Sequence, residues 1–183
     1  MLAAILLASL VGISSAASVG QAASCGFPNG TDTTFNWWQG DSTANFQFKS
    51  VVPIDAAGNT IYPVSLKQPL RVRAHFINNQ NDFVAGKLLL SMKVFKYGSW
   101  SSCDWNQFNT RGLLDDQDAC ETDLDCPIIM GEHDMIVTID FSKHTTLIGL
   151  LDNDAPYQLQ LTLTDQISNT FVTVFTQTRC LTK

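Results

Sequence analysis

The feature that most constrains this chain is a two-residue alternation of apolar and polar side chains. Successive side chains of a β-strand point to opposite faces, so the alternation predicts strands with one apolar and one polar face. Segments 45–52 and 171–178, which are rich in β-branched and aromatic residues, are also predicted strands. The alternating segments are 69–77, 88–95, 135–141 and 157–165.

Turn-forming residues separate these strands, for example Ala57-Gly58-Asn59 and Ser168-Asn169. Only 145–151 suggests a helical turn, and 98–126 is a long aromatic and polar segment with little strand pattern. Short strands with one apolar face form antiparallel sheets that bury those faces against each other. We therefore expect an all-β protein, a two-sheet antiparallel sandwich of roughly seven strands.

The N-terminus predicts export from the cytosol. An apolar run at 2–13 is followed by small residues, which is typical of a signal peptide, although no lysine or arginine precedes the run. The alternative is a membrane anchor, but a spanning helix needs about 20 apolar residues. We interpret residues 1–23 as a signal peptide and 24–183 as a single domain.

Charge and cysteine content agree with a secreted protein that does not bind nucleic acid. The chain has 17 acidic and 11 basic residues and no basic cluster. Asn29-Gly30-Thr31 is an N-glycosylation sequon. Five cysteines favour disulfides in an oxidising compartment, and they are Cys25, Cys103, Cys120, Cys126 and Cys180.

No motif indicates catalysis, a cofactor or a metal. The sequence lacks a nucleophile elbow, a zinc-protease motif and a phosphate-binding glycine loop, and its three histidines are scattered. The acidic residues between 115 and 125 lack the glycine and glutamate offsets of a calcium loop. Cys120, Cys126 and His133 offer an incomplete zinc ligand set, so a disulfide is the preferred interpretation. We expect no enzyme activity.

Two stretches resemble the ML lipid-recognition family. Cys120 and Cys126 have five residues between them and are followed at once by Pro127-Ile128, then by Gly131 and an alternating strand. A second alternating strand begins at Pro156-Tyr157 and ends in Asp165. The family includes the Niemann-Pick type C sterol carrier and the ganglioside activator protein. The resemblance extends from about residue 37 to 179, and 62–70 and 112–115 are most similar to its invertebrate secreted members.

This resemblance implies an immunoglobulin-like sandwich that binds a lipid in an apolar cavity between its sheets. It also implies a Cys120–Cys126 disulfide near the mouth of the cavity. Many members link their first and last strands by a disulfide, which predicts Cys25–Cys180 here at displaced positions. Cys103 is then left over, either free, exchanged into this pairing or linked to another chain.

A cavity has an energetic cost that the chain must offset. A lipid site of at least roughly 300 Å³ would cost about 7 kcal/mol when empty, at about 24 cal/mol per Å³. Disulfides can offset part of this, and burial of lipid carbons contributes about 0.8 kcal/mol per CH₂. A site of this kind looks like ordinary core in the sequence.

The candidate lipid-binding residues therefore have two interpretations, as packed core or as cavity lining. The inner-face candidates are Phe76, Met92, Val94, Val137, Ile139, Leu159, Leu161 and Phe175. Ile128 lies on the loop that follows the short disulfide. The resemblance favours positions at the mouth, which are Leu147, Leu150, Leu151, Pro156, Trp105 and Phe108.

We expect a secreted, monomeric protein that binds or transfers a lipid without catalysis, with transient docking to a membrane or receptor. Sterols, fatty acids, phospholipids and glycolipids are all compatible with an apolar site. Extracellular fluid and the endolysosomal lumen are both compatible with the acidic composition. The alternative function is surface recognition by an immunoglobulin-like module through the aromatic segment 98–126.

Overall fold

The computed structural model describes residues 25–122 and 124–183. The predicted signal peptide, residues 1–23, lies outside these ranges, so it stays a prediction. Within the described ranges, no helix has the length and apolar character needed to cross a membrane.

The described chain folds into two sheets. In chain order the strands are β1 (Asn36–Ser42), β2 (Phe46–Ile54), β3 (Val64–Ser65), β4 (Leu70–Asn78), β5 (Leu88–Tyr97), β6 (Trp105–Phe108), β7 (Gln117–Asp118), β8 (Gly131–Ile139), β9 (Ala155–Asp165) and β10 (Thr170–Leu181). The larger sheet has the order β1-β10-β9-β5-β6, and the smaller sheet has the order β2-β4-β8. Short β3 pairs in parallel with β10, whereas β7 and the longer strands pair antiparallel.

Helical structure is limited to short segments. The α-helices are α1 (Ala119–Thr122) and α2 (Thr145–Gly149), and 3₁₀ turns form at Pro28–Gly30 and Phe141–His144. The helix α2 confirms the helical turn that the sequence predicts at 145–151. It follows a turn whose Phe141 is buried, so this connection covers one end of the interior.

The all-β, two-sheet sandwich is confirmed, and the seven longest described strands match the predicted number. One difference is that β1 precedes the predicted first strand and contains Trp37 and Trp38. Another is that 98–126 contains β6, β7 and α1. Strands of four and two residues are too short to show a clear alternation, which explains why the sequence did not indicate them.

The alternating pattern determines which side chains enter the core. In the larger sheet, Leu161 of β9 lies opposite Met92 on β5 and Val174 on β10, and these three residues share the inner face. Met92 and Val174 are buried. The smaller sheet contributes Val72 from β4 in the same way. The apolar faces predicted from the sequence therefore meet between the sheets.

Phe175 lies on the outer face of the larger sheet, so its predicted inner-face position is wrong. Its ring stacks on Trp38 with centroids 5.2 Å apart and planes 8° apart. A Cβ at Gly40 would come within 2.5 Å of this ring, so only glycine fits there. Segment 171–178 has threonines and bulky residues on both faces, so its sequence does not indicate which residues point inward.

The observed disulfides are Cys25–Cys103 and Cys120–Cys126, while Cys180 is a buried free thiol. Cys120–Cys126 is confirmed, but the predicted Cys25–Cys180 bond is wrong, and Cys103 is paired instead of left over. The reason lies in the alternation along β10, since Cys180 points into the interior and is 2% exposed.

The side chain of Arg179, the residue before Cys180, points to the outer face of the larger sheet. Its guanidinium lies 5.3 Å from the centroid of the Phe27 ring and donates to the Asp32 carbonyl oxygen at 3.4 Å. The N-terminal segment therefore runs over the outer face of the sheet, where Cys25 can reach Cys103 but not Cys180.

Asn29, the glycosylation candidate, belongs to this N-terminal segment and is exposed. Its side-chain nitrogen donates to Gln177 Oε1 at 2.8 Å. Glycosylation of Asn29 stays a prediction.

The two disulfides should differ in their effect on stability. Cys25→Ala with Cys103→Ala opens a bond between residues 78 apart, and the chain-entropy relation predicts a loss of about 4.5 kcal/mol. Cys120→Ala with Cys126→Ala opens a bond between residues 6 apart, for which the loss is about 2 kcal/mol. Urea unfolding of the mature protein measures both values, and a larger loss for the short bond would contradict this ranking.

Cys180 should be chemically silent in the folded protein. Burial raises the pKa of its thiol to about 12, which keeps the nucleophilic thiolate scarce at neutral pH. We expect iodoacetamide to modify Cys180 only after unfolding, with non-reducing peptide mapping showing Cys25 linked to Cys103. Rapid labelling of Cys180 under native conditions would contradict the buried position.

Candidate functional site

An apolar cavity of about 100 Å³ lies between the two sheets. Both sheets line it, and of the described side chains that do so none is charged. The lining follows β10 from Val172 to Cys180, which corresponds to about 27 Å at 3.3–3.4 Å per residue. The cavity is therefore long and narrow, and smaller than the volume expected from the sequence.

Strand alternation places the lining residues. On β10 every second residue faces the cavity, and on β4 the same holds for the residues between its first leucine and Phe76. The lining residues on these two strands are Leu70, Val72, Ala74, Phe76, Val172, Val174, Thr176, Thr178 and Cys180. Because the two strands belong to different sheets, their inner faces form opposite walls.

The structure brings six of the predicted residues together in this cavity. They are Phe76, Ile128, Val137, Ile139, Leu159 and Leu161. All except Ile128 lie on β4, β8 or β9, where the alternation in the sequence is clearest. Ile128 is buried beside Phe83, with which it exchanges backbone hydrogen bonds of 3.0 and 2.9 Å.

A second, much smaller cavity of about 10 Å³ lies beneath α2. Its lining includes Val94, Leu147, Leu151 and Leu159, so it accounts for three further predicted residues. Met92 is buried in the core but lines neither cavity. The inner face of β5 therefore carries both a packed core residue, Met92, and a cavity-lining residue, Val94.

The other predicted positions lie outside both cavities. Leu150 is 67% exposed at the end of α2. Trp105 packs against Tyr97 with ring centroids 5.1 Å apart, and Phe108 packs against the core from the edge strand β6. Pro156 is half-buried at the start of β9. Phe175, as described above, is on the outer face.

Several lining residues are not among those predicted from the sequence, although the alternation contains a signal for most of them. Leu90 and Met135 continue inner faces that the sequence predicts, and Phe46 and Phe48 alternate within a predicted strand. Thr176 and Thr178 carried no signal, because threonine is common on both faces of strands. They border the cavity in place of the predicted Phe175.

Aromatic rings close one end of the cavity. The Phe46 ring lies 4.7 Å from Phe76, 5.1 Å from Phe48 and 5.8 Å from Phe83, measured between ring centroids. Phe76 also contacts the His133 ring at 5.5 Å. This cluster and Ile128 form the end of the cavity near the short disulfide, whereas Cys180 marks the opposite end.

Some inward-facing side chains border open space instead of packed atoms. Phe48, Met135, Val137 and Leu161 point into the sandwich yet are only half-buried. Leu124 lines the cavity and also a polar surface groove that includes Arg71, so it lies between the interior and solvent. The space between the sheets is therefore incompletely filled near β8.

The interior favours neutral groups. Burial raises the pKa of the Cys180 thiol to about 12, and burial likewise raises the pKa of the Tyr157 phenol. The Tyr157 hydroxyl, outside the larger cavity, donates to the Asp152 carbonyl oxygen at 3.1 Å. No cluster of three metal-ligating side chains occurs in the described ranges 25–122 and 124–183.

Filling the cavity should stabilise the protein. Ala74 is buried and lines the cavity, so Ala74→Val adds two carbons to empty space. We expect a gain of about 1 kcal/mol in the free energy of unfolding. The control is Ala119→Val, at a buried position that lines neither cavity, where overpacking should cost about 1–3 kcal/mol. Destabilisation by Ala74→Val would show that the space is already filled.

No family model matches this sequence, and no curated protein matches it. Among solved structures, the chain is similar to one described as a Niemann-Pick type C2 protein from the Japanese carpenter ant. The two share 10% sequence identity and a TM-score of 0.45, and the similarity covers 79% of this chain and 98% of that chain.

Proposed function

We propose that this protein is a non-enzymatic lipid-binding or lipid-transfer protein that holds the hydrocarbon part of its ligand between the two sheets. The observation that carries the proposal is the apolar cavity between the two sheets, whose described lining contains no charge. A soluble ligand with many polar groups would lose its hydration there without replacement hydrogen bonds. A hydrocarbon chain makes no hydrogen bonds with water, so its burial leaves no hydrogen bond unreplaced.

The energetics of the empty cavity support the proposal. A void of about 100 Å³ costs about 2.4 kcal/mol at about 24 cal/mol per Å³. Each lipid CH₂ that enters contributes about 0.8 kcal/mol of burial. Ligand binding therefore removes a destabilising feature and adds a favourable term, with few polar contacts required.

A lipid tail needs more room than the cavity offers without ligand, so the sheets have to separate locally. One side of the sandwich resists this, because Gln39 on β1 bonds to the backbone of β2 through Phe46 O and Phe48 N, both at 2.9 Å. On the other side β8 pairs with β4 alone among the described strands. We infer that ligands enter beside β8, where Leu124 separates the cavity from solvent.

The polar part of the lipid stays outside the cavity in this proposal. The described cavity wall contains no carboxylate that could neutralise a cationic headgroup and no amine that could neutralise an anionic one. Two exposed apolar residues, Ile129 and Met130, directly follow Ile128 of the cavity end. They are suited to transient contact with a donor membrane or a receptor.

The two disulfides support a location in extracellular fluid or the endolysosomal lumen, since such bonds persist in oxidising compartments. Both bonds lie within one chain, and in this proposal the protein acts as a monomer. They also offset part of the cost of the unfilled interior, because they lower the entropy of the unfolded chain. Sterols, fatty acids, phospholipids and glycolipids are the ligand classes to be tested.

Neighbouring residues on β8 provide a matched test. Val137 lines the cavity, while Ile136 points outward and is 41% exposed. Val137→Phe should fill the cavity and weaken lipid binding by about tenfold or more, because at least two CH₂ groups are displaced. Ile136→Phe should bind as the wild type does. Displacement of a fluorescent fatty acid and of a fluorescent sterol measures both variants.

Native mass spectrometry of the mature protein, purified without detergent, gives an independent test. We expect a co-purified lipid or binding of at least one lipid from the four classes above. A protein that binds none of them, while remaining folded, would overturn the proposal.

A further inference from the structure

The two interior cavities are separated by only a few side chains. Leu66, Leu159 and Cys180 line both the larger cavity and the smaller one beneath α2. All three residues are buried. Because both cavities contact the same three side chains, they lie on opposite sides of one thin partition.

The cavity beneath α2 is as apolar as the larger one. Its walls include Val94, Phe141 and Ile148, together with Tyr157. The polar atom of Tyr157 is directed away from this space, because its hydroxyl donates to the carbonyl oxygen of Asp152. A hydrocarbon terminus that reached this cavity would meet no polar group in need of a partner.

The partition consists of side chains that can rotate, and one of them is small. No backbone hydrogen bond between the sheets crosses it among the described residues, and the thiol of Cys180 has no disulfide partner. Side-chain rotation is fast and inexpensive compared with backbone movement. A ligand can therefore open this partition without breaking the larger sheet.

We propose that the two cavities form one channel in the lipid-bound protein. The end of the lipid tail passes between Leu66, Leu159 and Cys180 and terminates beneath α2. The inference rests on the proposed function and narrows it, since the channel takes lipids with one long, flexible hydrocarbon chain. The larger cavity follows β10 for about 27 Å, which matches an extended chain better than a rigid fused-ring body.

In this arrangement the headgroup lies outside the cavity beside β8, near Leu124, which lines the larger cavity and the surface groove but not the smaller cavity. The terminal methyl group lies beside Leu147 and Ile148 of α2. Cys180 contacts the chain between these two ends. The orientation follows because the α2 end is closed by Phe141 and Leu151, both buried.

A chain-length series tests the channel. Single-chain alkanols from about 8 to about 18 carbons should bind the wild type about fourfold more tightly for each added CH₂ that is buried. Cys180→Leu should narrow the partition, so that the gain per added CH₂ stops at a shorter chain length than it does in the wild type. Cys180→Ala makes the opposite change at the same position, since it widens the partition, and the gain should then continue to a chain length no shorter than in the wild type.

Photo-crosslinking of the wild-type protein tests the same inference without a substitution. A long-chain fatty acid with a diazirine on its terminal carbon should label residues 141–151, and one with the diazirine near the carboxyl group should label residues 124–137. Mass spectrometry of the digested protein locates the labels. Thermal melting confirms that Cys180→Leu is folded, and if it is not, the crosslinking result decides.

The two proposals fail in different ways. If no alkanol, fatty acid or sterol binds, the proposed lipid-binding function is wrong. If lipids bind but all three proteins stop gaining affinity at the same chain length, and the terminal label stays outside 141–151, the channel is wrong and the lipid-binding function stands. Stronger binding of a rigid sterol than of any single-chain lipid would also overturn the channel.

Discussion

Strand β10 presents alternate side chains to the interior and to the outer face of the larger sheet, and both faces of this strand are needed. Its inward residues, among them Thr176 and Cys180, form one wall of the cavity. Its outward residues hold the surroundings in place, since Phe175 stacks on Trp38 and Arg179 contacts Phe27. The strand also pairs with β1, β3 and β9. A shift of its register by one residue would exchange the two faces.

The position of the long disulfide helps the fold to tolerate the cavity. A sandwich with an incomplete interior tends to collapse or unfold, because each unfilled volume lowers its stability. Here the Cys25–Cys103 bond connects the N-terminal segment to the β5–β6 connection on the outside of the larger sheet. This position stabilises the fold without placing any atom of the disulfide in the cavity. The free thiol of Cys180 lies in the interior, where it lines both cavities.

Much of the fold and part of the site follow from local sequence pattern. The clear alternation in β4, β8 and β9 identifies their inner faces, and for this reason Phe76, Val137 and Leu159 were correctly expected in the interior. The positions expected at the mouth depended instead on a resemblance between distant sequences. Leu150 shows the limit of that approach, since it is exposed at the end of α2. Loop conformation depends on contacts that the local pattern does not encode.

The sequence alone determined that this chain forms strands with one apolar face, because strand geometry assigns successive side chains to opposite sides. It did not distinguish Met92 from Leu161, which lie opposite each other on neighbouring strands, although only Leu161 borders the cavity. Nor did it identify the partner of Cys25, since that depends on which face of the larger sheet the N-terminal segment crosses. Whether a side chain meets another side chain or empty space is decided by how far apart the two sheets lie. That distance is a property of the packed molecule and is not contained in any one segment.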